Sequence, residues 1–209
     1  EEVGALDLAG GMGATILGHN HPAIKETIAS MMSRDVPMHA QGSVRESAGR
    51  LSERLSALYP GKEKRIVILT NTGTEAVESA LKHAEMNRMK RLLVIGRSLL
   101  ANHREMKRVF ARNPHLRLPD EYRHRGADAL LDDILMQGRM LEELPPVVIA
   151  MEKAYHGKTT GSLSVTGNLM YREAFSRLSG IEARFVEFNN SEKLAAALAY
   201  AWDEHRMLH

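Results

Sequence analysis

The chain has 209 residues, of which 44% are hydrophobic and 26% charged, a composition typical of a globular protein with one well-buried domain. Its formal net charge of +2 predicts no general attraction to nucleic acid or to a membrane, and the lack of cysteine excludes disulfides, thiolate metal sites and cysteine nucleophiles. No apolar run approaches the roughly 20 residues that cross a bilayer, and no signal peptide is recognisable, so we expect a cytoplasmic protein.

The first predicted elements are a glycine-dense segment and two amphipathic helices. Pro22 is typical of a first helical residue and predicts a helix that ends near Ser33, and a second helix is predicted over residues 44–58. The apolar faces expected to be buried are Ile24, Ile28 and Met31 in the first helix and Ala48, Leu51, Leu55 and Leu58 in the second. His19 and His21 lack a third partner at ligand spacing, which indicates structural histidines and no metal site.

The most informative local pattern is a short apolar run that is followed by a polar turn and a helix. Residues 65–69 are rich in branched side chains and predict a buried strand. Thr72 followed by Glu75 has the form of a capping box, which predicts that a helix begins at Thr72. The amides of Gly73, Thr74 and Glu75 would then point out of the helix end, where the helix dipole favours an anion such as phosphate. The alternative, from these residues alone, is an ordinary capped helix with nothing bound.

After Ala84 the pattern changes to a basic segment. Residues 86–125 carry many arginines and lysines between apolar residues, and Pro114 and Pro119 interrupt them. With a further helical pattern over residues 127–141, this segment predicts two helices joined by a proline-containing connection. The basic surplus is typical of a solvated helix face, with an acidic partner or a phosphorylated ligand as the alternatives. Aromatic residues are nearly absent, which argues against binding of single-stranded nucleic acid.

A second strand, predicted over residues 147–151, leads directly into a polar loop over 152–161. Open α/β sheets bind ligands at the carboxyl ends of their parallel strands, so this loop predicts a ligand site. Gly157-Lys158-Thr159 resembles the end of a nucleotide-binding P-loop, but Glu152 stands where that motif requires its first glycine, which excludes the P-loop. The remaining predicted elements are a helix over residues 171–178, a strand over 183–188 and a helix capped by Ser191.

Three motifs together resemble the class III aminotransferases, which use pyridoxal 5'-phosphate (PLP) and have the fold type I architecture. The motifs are Gly18-His19-Asn20-His21-Pro22, then Thr70-Asn71-Thr72-Gly73-Thr74-Glu75-Ala76-Val77-Glu78-Ser79-Ala80-Leu81-Lys82, and Tyr155-His156-Gly157-Lys158-Thr159. The resemblance implies an α/β fold, the large PLP-binding domain with a mixed, mostly parallel sheet and flanking helices, which is incomplete in this chain. It implies that the domain starts within residues 1–84, is interrupted by a helical insertion over 85–146 and continues over 147–209.

The resemblance also implies a cofactor site and a reaction. The implied cofactor-binding residues are Thr72, Gly73, Thr74, Tyr155, His156 and Gly157. The first three would bind the phosphate and the last three would surround the pyridine ring, with Tyr155 lying against it. The implied reaction moves an amino group between an amino donor and a keto acid, aldehyde or ketone acceptor, in a homodimer with its sites at the subunit boundary. The insertion suggests a specialised branch, as in secondary metabolism.

Two features of that family have no match in the chain. They are the aspartate that contacts the pyridine nitrogen and the Schiff-base lysine that follows it; Asp203-Glu204 is followed by His205 and is not that motif. Lys158 corresponds to the basic residue after the family's His-Gly pair and not to the covalent lysine. The resemblance therefore implies that the Schiff-base lysine lies beyond residue 209, and it leaves the catalytic residues unassigned. The alternatives are a PLP-dependent aminomutase and a truncated, non-catalytic PLP-binding homologue.

Overall fold

The computed structural model describes residues 4–37, 42, 45–61, 63 and 65–204, and these form an α/β structure in two compact units, the first up to Val67 and the second from Ile68 onward. The α-helices are α1 (Gly10–Gly13), α2 (Pro22–Ser33), α3 (Glu46–Leu58), α4 (Gly73–Arg112), α5 (Gly126–Glu143), α6 (Thr160–Ser164), α7 (Leu169–Arg172) and α8 (Ser191–Glu204). Two 3-10 helices cover Asp120–Tyr122 and Glu173–Leu178, and two strands are β1 (Val147–Met151) and β2 (Glu182–Val186). None of the helices in the described residues is both long enough and apolar enough to span a bilayer.

The first unit contains the predicted helices, but their apolar faces are not buried. α2 has the predicted bounds, and α3 begins at Glu46, while Val44 lies outside the described residues. The prediction of a buried stripe on α3 was wrong: Leu51, Leu55 and Leu58 are exposed, because no other helix in the described part of this unit packs closely against α3. In α1 the backbone runs through left-handed angles over four successive residues, which three glycines make possible.

The predicted strand over residues 65–69 is not a strand in the structure. The side chain of Ile66 is 93% exposed, and the backbone of Arg65 bonds to the Ser56 hydroxyl instead of to a neighbouring strand. A strand is defined by its ladder partners, and among the described residues the two strands present pair with each other. Residues 65–69 therefore have the composition of a strand but lack, in the described part of the chain, the neighbouring strand with which they would form a ladder.

The helix that begins after Thr72 is longer than predicted. It continues through Ala84 without a break and ends only at Arg112, so the first helix of the basic segment is the continuation of α4. The reason is that no proline stands between these positions, and the next two, Pro114 and Pro119, lie in the connection to α5. The second predicted helix of the segment and the proline-containing connection are confirmed.

α5 packs antiparallel against α4 and returns the chain to the sheet. The guanidinium of Arg88 donates to the carbonyls of Leu141 and Leu144, which join the middle of α4 to the end of α5. Farther along, His103 and Lys107 on α4 lie 3.0 and 3.8 Å from the Asp132 carboxylate on α5. Residues later in α4 thus pair with residues earlier in α5, so the two helices are antiparallel and form one helical hairpin.

Leu131 is a core residue of this hairpin, with only 5% of its surface exposed. Replacing Leu131 with alanine is expected to lower the free energy of unfolding by about 2–3 kcal/mol, because a cavity replaces a packed side chain. Met136→Ala is the matched control, since Met136 lies on the same helix and is 63% exposed. Urea unfolding of both variants measures the difference; equal, small effects would contradict the packing described here.

The sheet consists of two parallel strands. The predicted strand over residues 147–151 is confirmed as β1, which pairs in parallel with β2, with Val147 opposite Glu182 and Met151 opposite Val186. β2 lies slightly earlier than predicted, since it ends at Val186 and Phe188 is exposed. The small core around the sheet and α6 contains Ala150, Leu163, Val165 and Val186.

Two local predictions near the end of the chain need correction. Residues 171–178 were predicted as one helix, and they form the end of α7 followed by a 3-10 helix. Asn190, and not Ser191, caps α8, because the Asn190 side-chain oxygen accepts a hydrogen bond from the Lys193 amide at 3.0 Å.

Candidate functional site

The N-terminus of α4 is built by a reciprocal cap, as the sequence predicts. Thr72 is extended (φ −143°, ψ 159°), and its hydroxyl oxygen accepts a hydrogen bond from the Glu75 amide at 3.1 Å. The Glu75 carboxylate in turn accepts a hydrogen bond from the Asn71 amide at 2.7 Å, one residue before the predicted partner. Local bonding of this kind fixes where the helix begins and how its first amides are oriented.

Two of the first amides of α4 have no protein partner among the described residues. The Glu75 amide was predicted to be free, but the cap uses it, and the Ala76 amide donates to the Thr72 carbonyl. The amides of Gly73 and Thr74 remain unbonded within the described chain. Such amides, at the positive end of a helix dipole, are suited to binding an anion.

The loop that follows β1 is held by a buried threonine. Thr166 is fully buried, and its hydroxyl oxygen accepts a hydrogen bond from the His156 amide at 3.1 Å and lies 3.0 Å from the Gly157 carbonyl oxygen. The Gly167 amide donates to the Ala154 carbonyl at 2.7 Å on the other side of the loop. Sequence reasoning did not assign a role to Thr166, although the run of small polar residues around it was the available signal.

Gly157 brings the two predicted parts of the site together. Its φ of +125° is accessible to glycine and unfavourable for other residues. A Cβ atom at this position would overlap the side chain of Thr74, which lies on the first turn of α4. The loop over residues 155–157 therefore contacts the end of α4 that carries the unbonded amides, and this contact requires glycine.

The other predicted residues of this loop differ in exposure. His156 is half-buried, whereas Tyr155 is 63% exposed. Lys158 is exposed, and its ammonium group lies 4.5 Å from the centre of the Tyr171 ring, a cation–π contact. Lys158 thus makes a contact beside the loop, on the side of α7.

Glu78, one turn along α4, fixes the far end of the same loop. Its Oε1 atom accepts hydrogen bonds from the Thr159 hydroxyl at 2.5 Å and from the amides of Gly161 and Ser162 at 2.9 and 3.0 Å. Burial acts to raise the pKa of the Glu78 carboxyl, but these hydrogen bonds outweigh it, with a smaller contribution from the Lys82 charge, so the pKa lies below its ordinary value of 4.5.

The lowered pKa predicts how this contact depends on pH. Because the folded state favours the ionised form, the stabilisation is complete above pH 4.5 and is lost as the pH falls through the lower pKa of the folded state. Hydrogen exchange at Gly161 and Ser162, corrected for intrinsic rates, is expected to accelerate only below pH 4.5; acceleration near neutral pH would contradict this.

In the N-terminal motif, His19 forms a hydrogen bond with Asp7. His19 lies 3.0 Å from the Asp7 carboxylate, which also accepts hydrogen bonds from the amides of Ala9 and Gly11. The hydrogen bond with His19, followed by that from Gly11, lowers the pKa of Asp7. Within the described part of the chain, no three acidic or histidine side chains group in a way that could hold a metal ion. The pair therefore serves the fold of the glycine segment.

Comparison with known proteins identifies the family of this chain. The family model for aminotransferase class-III matches residues 1–204. The chain belongs to the class III aminotransferases. Members of this family depend on PLP and have fold type I, in agreement with the α/β structure and its parallel strands.

Two curated relatives are LysW-aminoadipate semialdehyde/glutamate semialdehyde transaminases. The protein from Sulfolobus acidocaldarius is 27% identical over 190 residues, which cover 91% of this chain and 34% of the relative. The protein from Sulfurisphaera tokodaii is 28% identical over 189 residues, which cover 90% of this chain and 34% of the relative. The chain thus spans about a third of the length of the curated relatives that it matches.

Proposed function

We propose that this chain carries the cofactor-binding part of a PLP-dependent aminotransferase that moves an amino group between an amino donor and a keto acid, aldehyde or ketone acceptor. One observation carries the proposal within this family: the two unbonded amides of Gly73 and Thr74 face out of α4 beside the loop anchored at Gly157. The alternatives of an aminomutase and a non-catalytic homologue gain no support from the relatives, which are named transaminases.

The residues at the start of α4 fit a phosphate group. A phosphate oxygen accepts hydrogen bonds, and Gly73 and Thr74 supply two amide donors on adjacent residues. The Thr72 hydroxyl uses an oxygen lone pair in the cap, so its O–H remains available as a third donor. A Cβ atom added to Gly73 would meet no atom within 4 Å, which shows that the space above this residue is open.

The loop after β1 supplies the remaining proposed contacts. The exposed ring of Tyr155 would lie against the pyridine ring of PLP, and His156 and Gly157 would line the pocket. Bound PLP serves as an electron sink for the carbanion that forms when an amino acid loses its α-proton. The chain's own contribution is to bind the phosphate, orient the ring and keep the loop fixed by Thr166, so that the reacting groups are held in place.

The acceptor class and the assembly are finer parts of the proposal. Both relatives act, by name, on semialdehydes, which supports an aldehyde among the acceptors of this protein. We extend to it the homodimer expected from the family resemblance, a cytoplasmic location and a role in secondary metabolism.

Borohydride reduction in the presence of PLP, followed by peptide mapping and a transamination assay, tests the function. The protein is expected to form a phosphopyridoxyl-lysine at a position other than Lys158 and to transfer an amino group to an aldehyde acceptor only when an amino donor is present. Turnover without a second substrate would indicate an aminomutase. Absence of both the adduct and turnover, or an adduct at Lys158, would contradict the proposal.

A further inference from the structure

Glu78 makes contacts that binding of the cofactor phosphate does not require. A single carboxylate oxygen accepts three hydrogen bonds from residues more than 80 positions later in the chain, two of them from backbone amides. Hydrogen bonds to an ionised acceptor are stronger than those between neutral groups. A Cβ atom on Gly161 would overlap the Glu78 carboxylate, so the close approach depends on glycine there.

These contacts connect the two halves of the proposed site. Glu78 lies on α4 shortly after the unbonded amides of Gly73 and Thr74, and its first donor, Thr159, lies two residues after Gly157. The Thr159 hydroxyl also lies 3.0 Å from the hydroxyl of the fully buried Ser162. The loop is therefore held from within by the Thr166 hydroxyl at its start and attached to α4 by Glu78 at its end.

We propose that Glu78 is a positioning residue, which holds the loop of Tyr155, His156 and Gly157 at a fixed distance from the phosphate-binding end of α4. This inference rests on the proposed function, because the loop and the start of α4 are proposed to hold the ring and the phosphate of the same PLP molecule. Glu78 is not assigned a contact with the phosphate: its Oε1 atom accepts hydrogen bonds from the loop, and its role is exerted through the residues that it holds.

The test compares Glu78→Ala and Glu78→Gln with Glu85→Gln in the full protein. Glu85 is a matched control, because it lies two turns along the same helix, is 36% exposed and pairs with Arg88 at 2.7 Å, away from the loop. Three measurements are made on each variant: hydrogen exchange over residues 155–162, the affinity for inorganic phosphate and the affinity for PLP.

The Glu78→Ala variant is expected to exchange faster over residues 155–162 and to bind PLP about tenfold more weakly or worse, since a lost hydrogen bond to a charged group corresponds to about that factor. Its affinity for inorganic phosphate is expected to change less than about twofold, because the amides of Gly73 and Thr74 remain. A change of that size is usual for a substitution that does not touch the binding groups. Glu78→Gln keeps an acceptor oxygen, so its exchange rates over residues 155–162 and its PLP affinity are expected to lie between those of Glu78→Ala and the wild type.

Two results would overturn the inference: unchanged exchange over residues 155–157 in Glu78→Ala, or equal losses of phosphate and PLP affinity. The same losses in Glu85→Gln would also overturn it, because they would indicate a general loss of stability. If the wild-type protein bound no PLP, the proposed function would fail, and the exchange measurement would still decide whether Glu78 holds the loop.

Discussion

Replacing Gly73 with proline is expected to weaken PLP binding by about tenfold to a hundredfold while α4 stays intact, because one charge-assisted hydrogen bond to phosphate is lost. Proline lacks the amide hydrogen, yet it is favoured at the first position of a helix. The preceding residue, Thr72, already has the extended backbone that proline requires (φ −143°, ψ 159°). The substitution therefore removes one proposed phosphate donor with little change in the fold, and titration with PLP, monitored by absorbance, measures the loss.

Gly73→Ala is the control for this prediction. Alanine keeps the amide, meets no atom within 4 Å of its Cβ and is favoured over glycine in a helix. We expect Gly73→Ala to bind PLP as the wild type does and to unfold at a slightly higher urea concentration. Equal affinities of the proline and alanine variants would show that the Gly73 amide takes no part in binding.

Replacing Gly157 with alanine is expected to damage both stability and cofactor binding. The φ of +125° is strained for alanine, which costs about 1–3 kcal/mol, and the new methyl group would also overlap Thr74. Relief of the overlap moves the loop away from α4, so PLP affinity is expected to fall together with the free energy of unfolding. Urea unfolding and PLP titration of the same sample measure the two effects.

Gly180→Ala separates this effect from that of adding a methyl group elsewhere. Gly180 lies in the same unit, and a Cβ there would meet no atom within 4 Å. We expect this variant to match the wild type in both measurements. If Gly157→Ala also matched the wild type, the contact between the loop and α4 would contribute to neither the free energy of unfolding nor PLP affinity, and the prediction would be wrong.

The elements that the sequence predicted well are those set by local chemistry. The cap of α4 depends on Thr72 and Glu75, which are three positions apart, and the residue types alone are enough to predict their hydrogen bond. Pro22 likewise marks the start of α2, and the branched residues of β1 mark a strand that has a partner. In each case the element is determined by residues a few positions apart or by a continuous apolar run.

The failures have the opposite cause. Residues 65–69 have the composition of a strand, but strand formation depends on a partner that a local pattern does not reveal. The hydrogen bonds of Glu78 could not be predicted from a local pattern because their donors, such as Gly161, are more than 80 residues away. Sequence reasoning named Thr74 and Gly157 separately, and only the fold shows that they meet.

The central claim is that the amides of Gly73 and Thr74 bind the phosphate of PLP. The most direct test is to follow the ¹⁵N–¹H chemical shifts of these two amides during separate titrations with PLP, with inorganic phosphate and with pyridoxal, which lacks the phosphate. We expect PLP to shift both amide signals, inorganic phosphate to shift the same two and pyridoxal to leave them nearly unchanged. If PLP bound without moving these signals, or if pyridoxal moved them equally, the phosphate would bind elsewhere and the account of the site would be wrong.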